Sequence, residues 1–338
     1  MRPGIDDQIE ELFAFDMEQE VNRIAEWTRE VLRMRLRKRG LVVGISGGID
    51  SSVCTALAVR AVGKDKVFGL LMPERDSSSE SVTRGRQLAE FCGVEYTIAD
   101  IAPTLEAVGC YQWRDNAMRN AMPEYQPGWK SKIVIEGGSE GRINHFNLMV
   151  EDAEGKIATV RLGLKDYLQI VASTSFKQRV RKTLEFFHAD RLHYAVVGTP
   201  NRLEYDQGFF VKNGDGSADL KPVAHLYKSQ VYMLARHLGL PEQICTSIPS
   251  TDTYSLAQGQ DEFYFALPYK QMDIALLHHN RRLPAAALAE RLGLTLAQAK
   301  SIYVDIENKR KTTAPLHWPA LTIERIQGPS TSPRFDPS

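Results

Sequence analysis

The chain has 338 residues, of which 43% are hydrophobic and 25% are charged, and its 42 acidic side chains balance its 42 basic ones. A chain of this length can bury a large core as one elaborate domain. The charge balance excludes a general attraction to nucleic acid or anionic membranes, and no apolar run is long enough to cross a bilayer.

The expected location is the cytoplasm. Residues 1–20 are acidic and lack the apolar core of a signal peptide. None of the cysteines shows the CxxC spacing of a metal or redox site, so we interpret them as reduced thiols, namely Cys54, Cys92, Cys110 and Cys245.

The first hundred residues alternate between helical and strand patterns. Such alternation predicts an α/β fold with a right-handed, mostly parallel, doubly wound sheet. Ligands bind such sheets at the carboxyl ends of the strands. The predicted helices are 16–38, 51–62 and 79–91, and the predicted strands are 40–45, 67–72 and 94–98.

A glycine-rich stretch joins the first predicted strand to the next helix. Gly47 and Gly48 allow a close approach of the backbone to a ligand, and the start of the helix attracts anions. Hydroxyl groups come from Ser46, Ser51 and Ser52. Asp50 would repel phosphates unless a divalent cation lay between them, so it is a candidate magnesium ligand. The simpler alternative is a turn whose Ser and Asp residues cap a helix.

Residues 111–165 break the alternation of helix and strand patterns, which predicts an insertion. Two alternating runs, 144–150 and 157–162, flank the turn 151–156, which is typical of a β-hairpin. We expect this insertion to serve recognition of a substrate or partner, although a tolerated surface insertion is the alternative.

Regular α/β structure then resumes and leads to a long loop. A basic helix over 174–190 is predicted to hold Phe176, Val180, Leu184 and Phe187 inward, and a strand follows over 193–197. The loop 198–219 comes at the carboxyl end of that strand, where long loops are usually functional. Another helix is predicted over 226–238.

The C-terminal segment is predicted to be helical. Helices over 285–292 and 295–307 have the spacing of a DNA-reading helix-turn-helix. The second helix offers few side chains that read base edges, and the chain is neutral, so we favour a structural role and expect no nucleic-acid partner. The tail 316–338 is rich in proline and is predicted to be irregular.

The sequence Ser46-Gly47-Gly48-Ile49-Asp50-Ser51 resembles the pyrophosphate loop of the ATP pyrophosphatases, which cleave ATP between the α and β phosphates. Further motifs lie in the same order as in ammonia-dependent NAD synthetases. They are Gly198-Thr199 with Glu204, the run from Gly208 to Asp219, Leu226-Tyr227-Lys228, and Pro249-Ser250-Thr251-Asp252. The resemblance covers residues 16–315, apart from the insertion.

The resemblance implies a set of site residues. Those expected at ATP are Ser46, Gly47, Gly48, Asp50, Ser51, Ser52, Thr199, Lys228 and Ser250. Those expected at the second substrate are Arg179, Phe210, Lys212, Asp215, Asp219 and Lys309. Asp50 and Glu204 are expected to hold Mg²⁺ and, with Lys228, to be catalytic. Members of this family form homodimers whose pocket crosses the interface.

By the same resemblance, the chain adenylates the carboxylate of deamido-NAD with ATP and transfers ammonia to it, which gives NAD, AMP and pyrophosphate. The ammonia is expected to be free or to come from a separate glutaminase. Departures from the family pattern are Ser175 for Asn, Phe263-Tyr264-Phe265 for Glu-Leu-Gly, and Asn308 for His. They leave open the amidation of a different carboxylate. A nucleotide sensor without turnover is a further alternative, which the two retained metal ligands disfavour.

Overall fold

A computed structural model of the protein describes residues 4–136, 145–247, 254–256, 264 and 267–324. The strands are β1 (Leu41–Gly44), β2 (Val67–Leu71), β3 (Glu95–Ile98), β4 (Lys130–Glu136), β5 (His145–Glu151), β6 (Ile157–Arg161) and β7 (Ala195–Val197). The helices are α1 (Ile5–Phe13), α2 (Met17–Glu30), α3 (Ile49–Val62), α4 (Ser79–Cys92), α5 (Ala102–Ala107), α6 (Cys110–Ala121), α7 (Leu164–Leu192), α8 (Arg202–Gln207), α9 (Lys228–His237), α10 (Glu242–Cys245), α11 (Tyr269–Asn280), α12 (Ala285–Leu292) and α13 (Leu296–His317).

Four parallel strands form the central sheet in the order β3-β2-β1-β7. Val42 of β1 pairs with Phe68 of β2 on one side and with Val196 of β7 on the other. The chain therefore builds outward from β1 to β3 and then returns to the opposite side of β1. Such a switch point opens a crevice at the carboxyl ends of the two strands, which is where ligands bind doubly wound sheets. The predicted fold class is confirmed.

Helices cover both faces of this sheet because side chains alternate along each strand. Val43 and Val197 point into a core with α2, α3 and α9. Val42 and Val196 point into a second core with α5, α6 and α7. The predicted helix over 16–38 is confirmed as α2, which continues into a π-helical turn, Val31–Leu36.

A smaller antiparallel sheet, in the order β4-β5-β6, contains the predicted hairpin. Leu148 lies between Ile133 and Val160 in the ladder. Strand β4 was not predicted, because its Lys-Ser-Lys start obscures the alternation that follows. The buried side of the sheet packs against Met118 of α6 and Ile170 of α7. The boundaries 16–315, 111–165 and 316–338, and a recognition role for the insertion, stay predictions.

Helix α7 departs from its prediction in length and in one side chain. It has 29 residues and begins at Leu164, ten residues before the predicted start. Phe187 is 59% exposed, so the prediction that it points inward is wrong. Lys177 and Glu185 of this helix are buried instead. These inward polar side chains interrupt the apolar spacing. A search for apolar periodicity alone then selects the wrong aromatic residue.

The last three helices and α1 form a separate hydrophobic layer around Phe13, Ile274, Leu288 and Ile306. The predicted helix 285–292 is confirmed as α12. Helix α13 runs ten residues past its predicted end and includes Pro315 in its final turn. The predicted irregular tail begins at 316, but residues 316–317 belong to α13. Residues 318–324 are outside any helix or strand, and 325–338 lie outside the described residues. In the described part of the chain, no helix has both the length and the apolar character needed to span a bilayer.

A buried ionic cluster joins the loop after β2 to α6 and α7. Lys177 Nζ lies 2.9 Å from Glu74 Oε1 and 2.5 Å from Asp76 Oδ2. Arg114 pairs with Asp76 as well, and its Nη2 lies 2.8 Å from Asp115 Oδ1. Opposite charges this deeply buried persist because each one has several partners. The cluster fixes the loop that leaves the carboxyl end of β2.

Replacing Lys177 with Met should therefore destabilise the protein strongly, because Glu74 and Asp76 lose the ammonium that lies between them. We expect a loss of about 3–5 kcal/mol in the free energy of unfolding, measured by urea denaturation at pH 7. The exposed Lys156→Met is the control and should change it by less than about 0.5 kcal/mol. Equal stabilities of the two variants would contradict a structural role for the cluster.

Candidate active site

The phosphate loop lies between β1 and α3, at the carboxyl edge of the central sheet. Gly47 adopts a left-handed φ of +77°, and a β-carbon there would collide with the carbonyl oxygen of Ser81. Gly48 is the N-cap of α3, so the first N–H groups of that helix have no partner within it and point out of its start. Arg84 of α4 donates to Gly47 O at 3.3 Å. The loop is thus held tightly against α4.

The three loop serines are placed differently. Ser46 is exposed at the start of the loop. Ser51 is buried, and its hydroxyl donates to Gly48 O at 3.0 Å and lies 3.1 Å from Ser46 Oγ. Ser52 is fully buried and donates to the same carbonyl at 2.8 Å. These two hydroxyls therefore brace the turn, and the hydroxyl of the exposed Ser46 accepts from Gly48 N at 3.3 Å.

An ion-pair network joins this loop to the loops after β7. Lys228, the first residue of α9, is 2% exposed and contacts Asp50 Oδ2, and its Nζ lies 3.5 Å from Glu204 Oε1. Asn201 donates to Asp50 Oδ1 at 3.0 Å through its amide nitrogen. Its amide oxygen caps α8 by accepting from Leu203 N and Glu204 N. The structure thus brings together the three predicted catalytic residues and adds Asn201.

The charge of Lys228 is secured by its two carboxylate neighbours. Burial disfavours the ammonium form, but Asp50 and Glu204 outweigh that effect and raise the pKa of Lys228. The side chain is therefore a fixed positive charge beside the start of α3. Such a charge is suited to stabilising anionic oxygens that develop nearby.

The same two carboxylates form a donor set that fits a magnesium ion. Asp50 and Glu204 both contact the Lys228 ammonium, so their carboxylates lie close together. Mg²⁺ is typically held by one or two carboxylates together with substrate phosphates. Within the part of the chain that the structure describes, no group of three or more His, Cys, Asp or Glu side chains forms a metal cage.

A cavity of about 240 Å³ opens beside the loop, at the switch point between β1 and β7. Ser46 and Thr199, both predicted at ATP, line it. Its apolar wall comes from Ile45, Leu71, Met72 and Val82, and α7 supplies Gln178, Arg181, Lys182 and Glu185. Sequence reasoning missed the α7 group. These four polar side chains recur at spacings of three and four residues, which places them on one face of the helix, and this spacing was the signal in the sequence that could have found them.

Three of the residues expected at the second substrate lie together. Arg179 Nε donates to Lys212 O at 3.2 Å. Lys212 Nζ donates to Pro315 O at 2.8 Å and to Trp318 O at 2.9 Å, which ties the loop after α8 to the end of α13. Phe210 stacks on Tyr205 with ring centroids 6.0 Å apart.

The remaining substrate residues are placed individually. Asp215 lines the cavity and accepts from Val211 N at 2.9 Å, and burial raises the pKa of its carboxyl group. Asp219 accepts from Val196 N at 2.7 Å. Lys309 Nζ contacts Asp305 at 2.5 Å and Tyr264 O at 2.8 Å. Ser250 lies outside the described residues.

Comparisons with known proteins identify the family of the chain. The family model for NAD synthase matches residues 20–126 and 145–314. An NH3-dependent NAD+ synthetase of Rhizobium meliloti (strain 1021) is 57% identical over 309 residues, which cover 91% of this chain and 92% of the relative.

Two solved structures share the fold. An NMN synthetase from Francisella tularensis superimposes with a TM-score of 0.63 at 20% identity, over 91% of this chain and 99% of the other. An NH3-dependent NAD synthetase from Campylobacter jejuni gives 0.61 at 21% identity, over 92% and 100%. The family model matches most of the chain, and the Rhizobium relative covers it almost entirely. The chain therefore belongs to the NAD synthase family.

Proposed function

We propose that the chain converts the carboxylate of deamido-NAD into the amide of NAD, with ATP as the activating substrate and ammonia as the nitrogen donor. It is accordingly a carbon–nitrogen ligase that releases AMP and pyrophosphate. The observation that supports this most directly is the convergence of Asp50, Glu204 and Lys228 at the start of α3, which follows the cavity-lining residue Ser46 in the phosphate loop. Membership of the NAD synthase family supports the same reaction.

The binding mode of ATP follows from the two halves of the site. Its β and γ phosphates rest on the N–H groups at the start of α3, near Ser46. The adenosine enters the cavity between β1 and β7, where Thr199 contacts the nucleotide. Ser51 and Ser52 serve by holding the loop in shape, and Ser250 is proposed at ATP from the motif alone. The α phosphate then lies between the loop and the second substrate.

The first chemical step forms a mixed anhydride. A carboxylate oxygen of deamido-NAD attacks the α phosphorus, the bond to the bridging oxygen breaks, and pyrophosphate leaves with the electron pair. Lys228, fixed and charged, stabilises the negative charge on the departing oxygens. A Mg²⁺ ion held by Asp50 and Glu204 would supply further charge stabilisation to the phosphates.

Ammonia then attacks the carbonyl carbon of the acyl-adenylate, AMP leaves, and a proton is lost from the nitrogen. No side-chain nucleophile takes part. Burial raises the pKa of every thiol of the chain, that of Cys92 to about 11, so none is a ready thiolate for releasing ammonia from glutamine. The nitrogen donor is therefore free ammonia, or ammonia delivered by a separate glutaminase.

The acceptor is proposed to bind on the loop that follows α8. Arg179, Phe210 and Lys212 lie together there, and Asp215 connects the loop to the nucleotide cavity. The residues proposed to bind the acceptor also include Asp219 and Lys309. Because Ser175 and Asn308 depart from the family pattern, a different carboxylate remains the second candidate.

We also propose that the chain works in the cytoplasm as a homodimer that meets through the exposed face of α7. Leu164 and Leu168 are 73% and 53% exposed on this helix. Arg179 follows Leu168 by eleven residues, about three helical turns, so these side chains share a face. A second copy seated on that face would bring apolar surface to Leu164 and Leu168 and lie beside Arg179 of the acceptor site.

The assay that tests the function measures pyrophosphate release from ATP with a panel of carboxylates and with either ammonium chloride or glutamine. We expect deamido-NAD with ammonium to give the highest kcat/KM, and glutamine to give no turnover because no thiolate is available. A serine variant of all four cysteines should behave in the same way. Preference for another carboxylate would refute the substrate, and glutamine-driven turnover that disappears in the cysteine variant would refute the nitrogen source.

Asp50→Asn should reduce amide formation by about 100-fold or more, because it removes a charge from the proposed metal site while keeping the side-chain shape. Thermal unfolding should show a folded protein, and a magnesium titration should show weaker activation. The exposed Asp65→Asn is the matched control and should retain wild-type turnover. AMP production at the wild-type rate in the Asp50 variant at saturating magnesium would remove Asp50 from the metal site.

If the proposed dimer forms, Leu168→Glu should raise the KM for deamido-NAD by about tenfold or more. The substitution places a charge in the interface, and the interface lies beside Arg179 of the acceptor site. Sedimentation equilibrium should show the variant shifted from dimer towards monomer. Met34→Glu, at another exposed apolar position, should leave the dimer intact. A Leu168 variant that remains dimeric would place the interface elsewhere.

A further inference from the structure

Two oppositely charged side chains of α7 lie buried on the wall of the nucleotide cavity. Lys182 Nζ and Glu185 Oε2 are 2.6 Å apart, and the two side chains are only 6% and 8% exposed. A charged pair this far from solvent is expensive to desolvate, and replacement by apolar residues is often neutral or stabilising. The placement of such a pair on a ligand cavity therefore calls for a role beyond stability.

Both members of the pair keep hydrogen-bonding capacity that the described part of the chain does not use. Glu185 Oε1 accepts no hydrogen bond from the described residues, and Lys182 donates only to Glu185 there. A carboxylate and an ammonium can each make several hydrogen bonds. The pair thus presents an acceptor and a donor side by side at the cavity wall.

The end of β1 is shaped to receive the carboxylate. A β-carbon at Gly44 would lie 2.8 Å from Glu185 Oε1 and 3.2 Å from its carboxyl carbon. Any other residue at position 44 would therefore displace Glu185. Gly44 comes two residues before Ser46, so the carboxylate lies close to the phosphate loop along the cavity floor.

The rest of the cavity indicates which part of a nucleotide meets this pair. If the phosphates rest on the start of α3, as the proposed function requires, the base or the ribose enters the cavity. Ile45, Leu71, Met72 and Val82 form apolar walls that suit the faces of a purine ring better than a hydroxylated sugar. A ribose hydroxyl would also engage the carboxylate without needing the adjacent ammonium.

We propose that Lys182 and Glu185 read the amino edge of adenine and make the site selective for ATP over 6-oxopurine nucleotides. The 6-amino group of adenine donates to Glu185 Oε1, and the adjacent ring nitrogen accepts from Lys182. A 6-oxopurine presents a carbonyl oxygen in place of the amino group. That oxygen would face the carboxylate, acceptor against acceptor, and leave a buried group unpaired.

The test compares ATP with inosine triphosphate, which differs at the 6 position of the base. Wild-type protein should favour ATP by about 10- to 100-fold in binding, as expected for one correctly read base edge. Glu185→Gln should reduce that ratio by about tenfold, because an amide can turn to donate to the carbonyl oxygen. Asp190→Asn, an exposed carboxylate at the end of the same helix, is the control and should keep the wild-type ratio.

Binding is measured by titration calorimetry with magnesium and without the acceptor, so the result does not depend on which carboxylate is amidated. Glu185→Gln leaves Lys182 unpaired and is at risk of unfolding. The double variant Lys182→Met/Glu185→Gln removes both charges and keeps the measurement possible. Its ATP-to-inosine-triphosphate ratio should also fall towards one.

Two results would overturn the inference. One is an unchanged ratio in either folded variant, which would make the pair purely structural. The other is a variant that keeps the ATP-to-inosine-triphosphate ratio but loses discrimination against 2′-deoxy-ATP, which would assign the pair to the ribose. Failure of the proposed function is a separate outcome, in which the wild-type ratio is as expected but deamido-NAD is not amidated. No binding of either nucleotide would refute both.

Discussion

The site depends on one electrostatic constraint, which is the burial of the Lys228 ammonium between two carboxylates. An isolated ammonium at this depth would lose its proton or move outward. Asp50 comes from the helix after β1, and Glu204 comes from the helix after β7. The ion pairs therefore hold together the two edges of the crevice at the switch point. The charge at the start of α3 and the local architecture depend on the same three side chains, so a change to any one of them alters both.

Much of this arrangement is predictable from local sequence. The glycines and the serines around Asp50 predict the turn between β1 and α3, and helix and strand spacing predicts the doubly wound sheet, because both signals arise within a few residues. The meeting of Asp50 with Lys228 follows from a family motif and not from spacing. Contacts across 178 residues depend on strand order, which periodicity does not reveal.

The features that sequence reasoning missed share a physical cause. Lys177 and Glu185 are charged residues in a helix, and patterns of charge usually mark solvent-facing positions. Here Lys177 faces inward because Glu74 and Asp76 of another element pair with it. Glu185 faces inward with Lys182 of the same helix as its partner. Asn201 was missed for a related reason, since an Asn before a helix is ordinarily interpreted as a cap and nothing more. For Lys177 and Asn201 the local role is visible in the sequence and the long-range partner is not.

Asn201 has a consequence that follows from the asymmetry of an amide. Its oxygen accepts from the start of α8 while its nitrogen donates to Asp50, so a single planar group spans two elements. An aspartate would keep the helix cap but would turn a third negative charge towards Asp50 and Glu204. A serine would keep the cap and lose the reach. The orientation of one terminal amide thus couples the winding of a short helix to the direction in which the Asp50 carboxylate points.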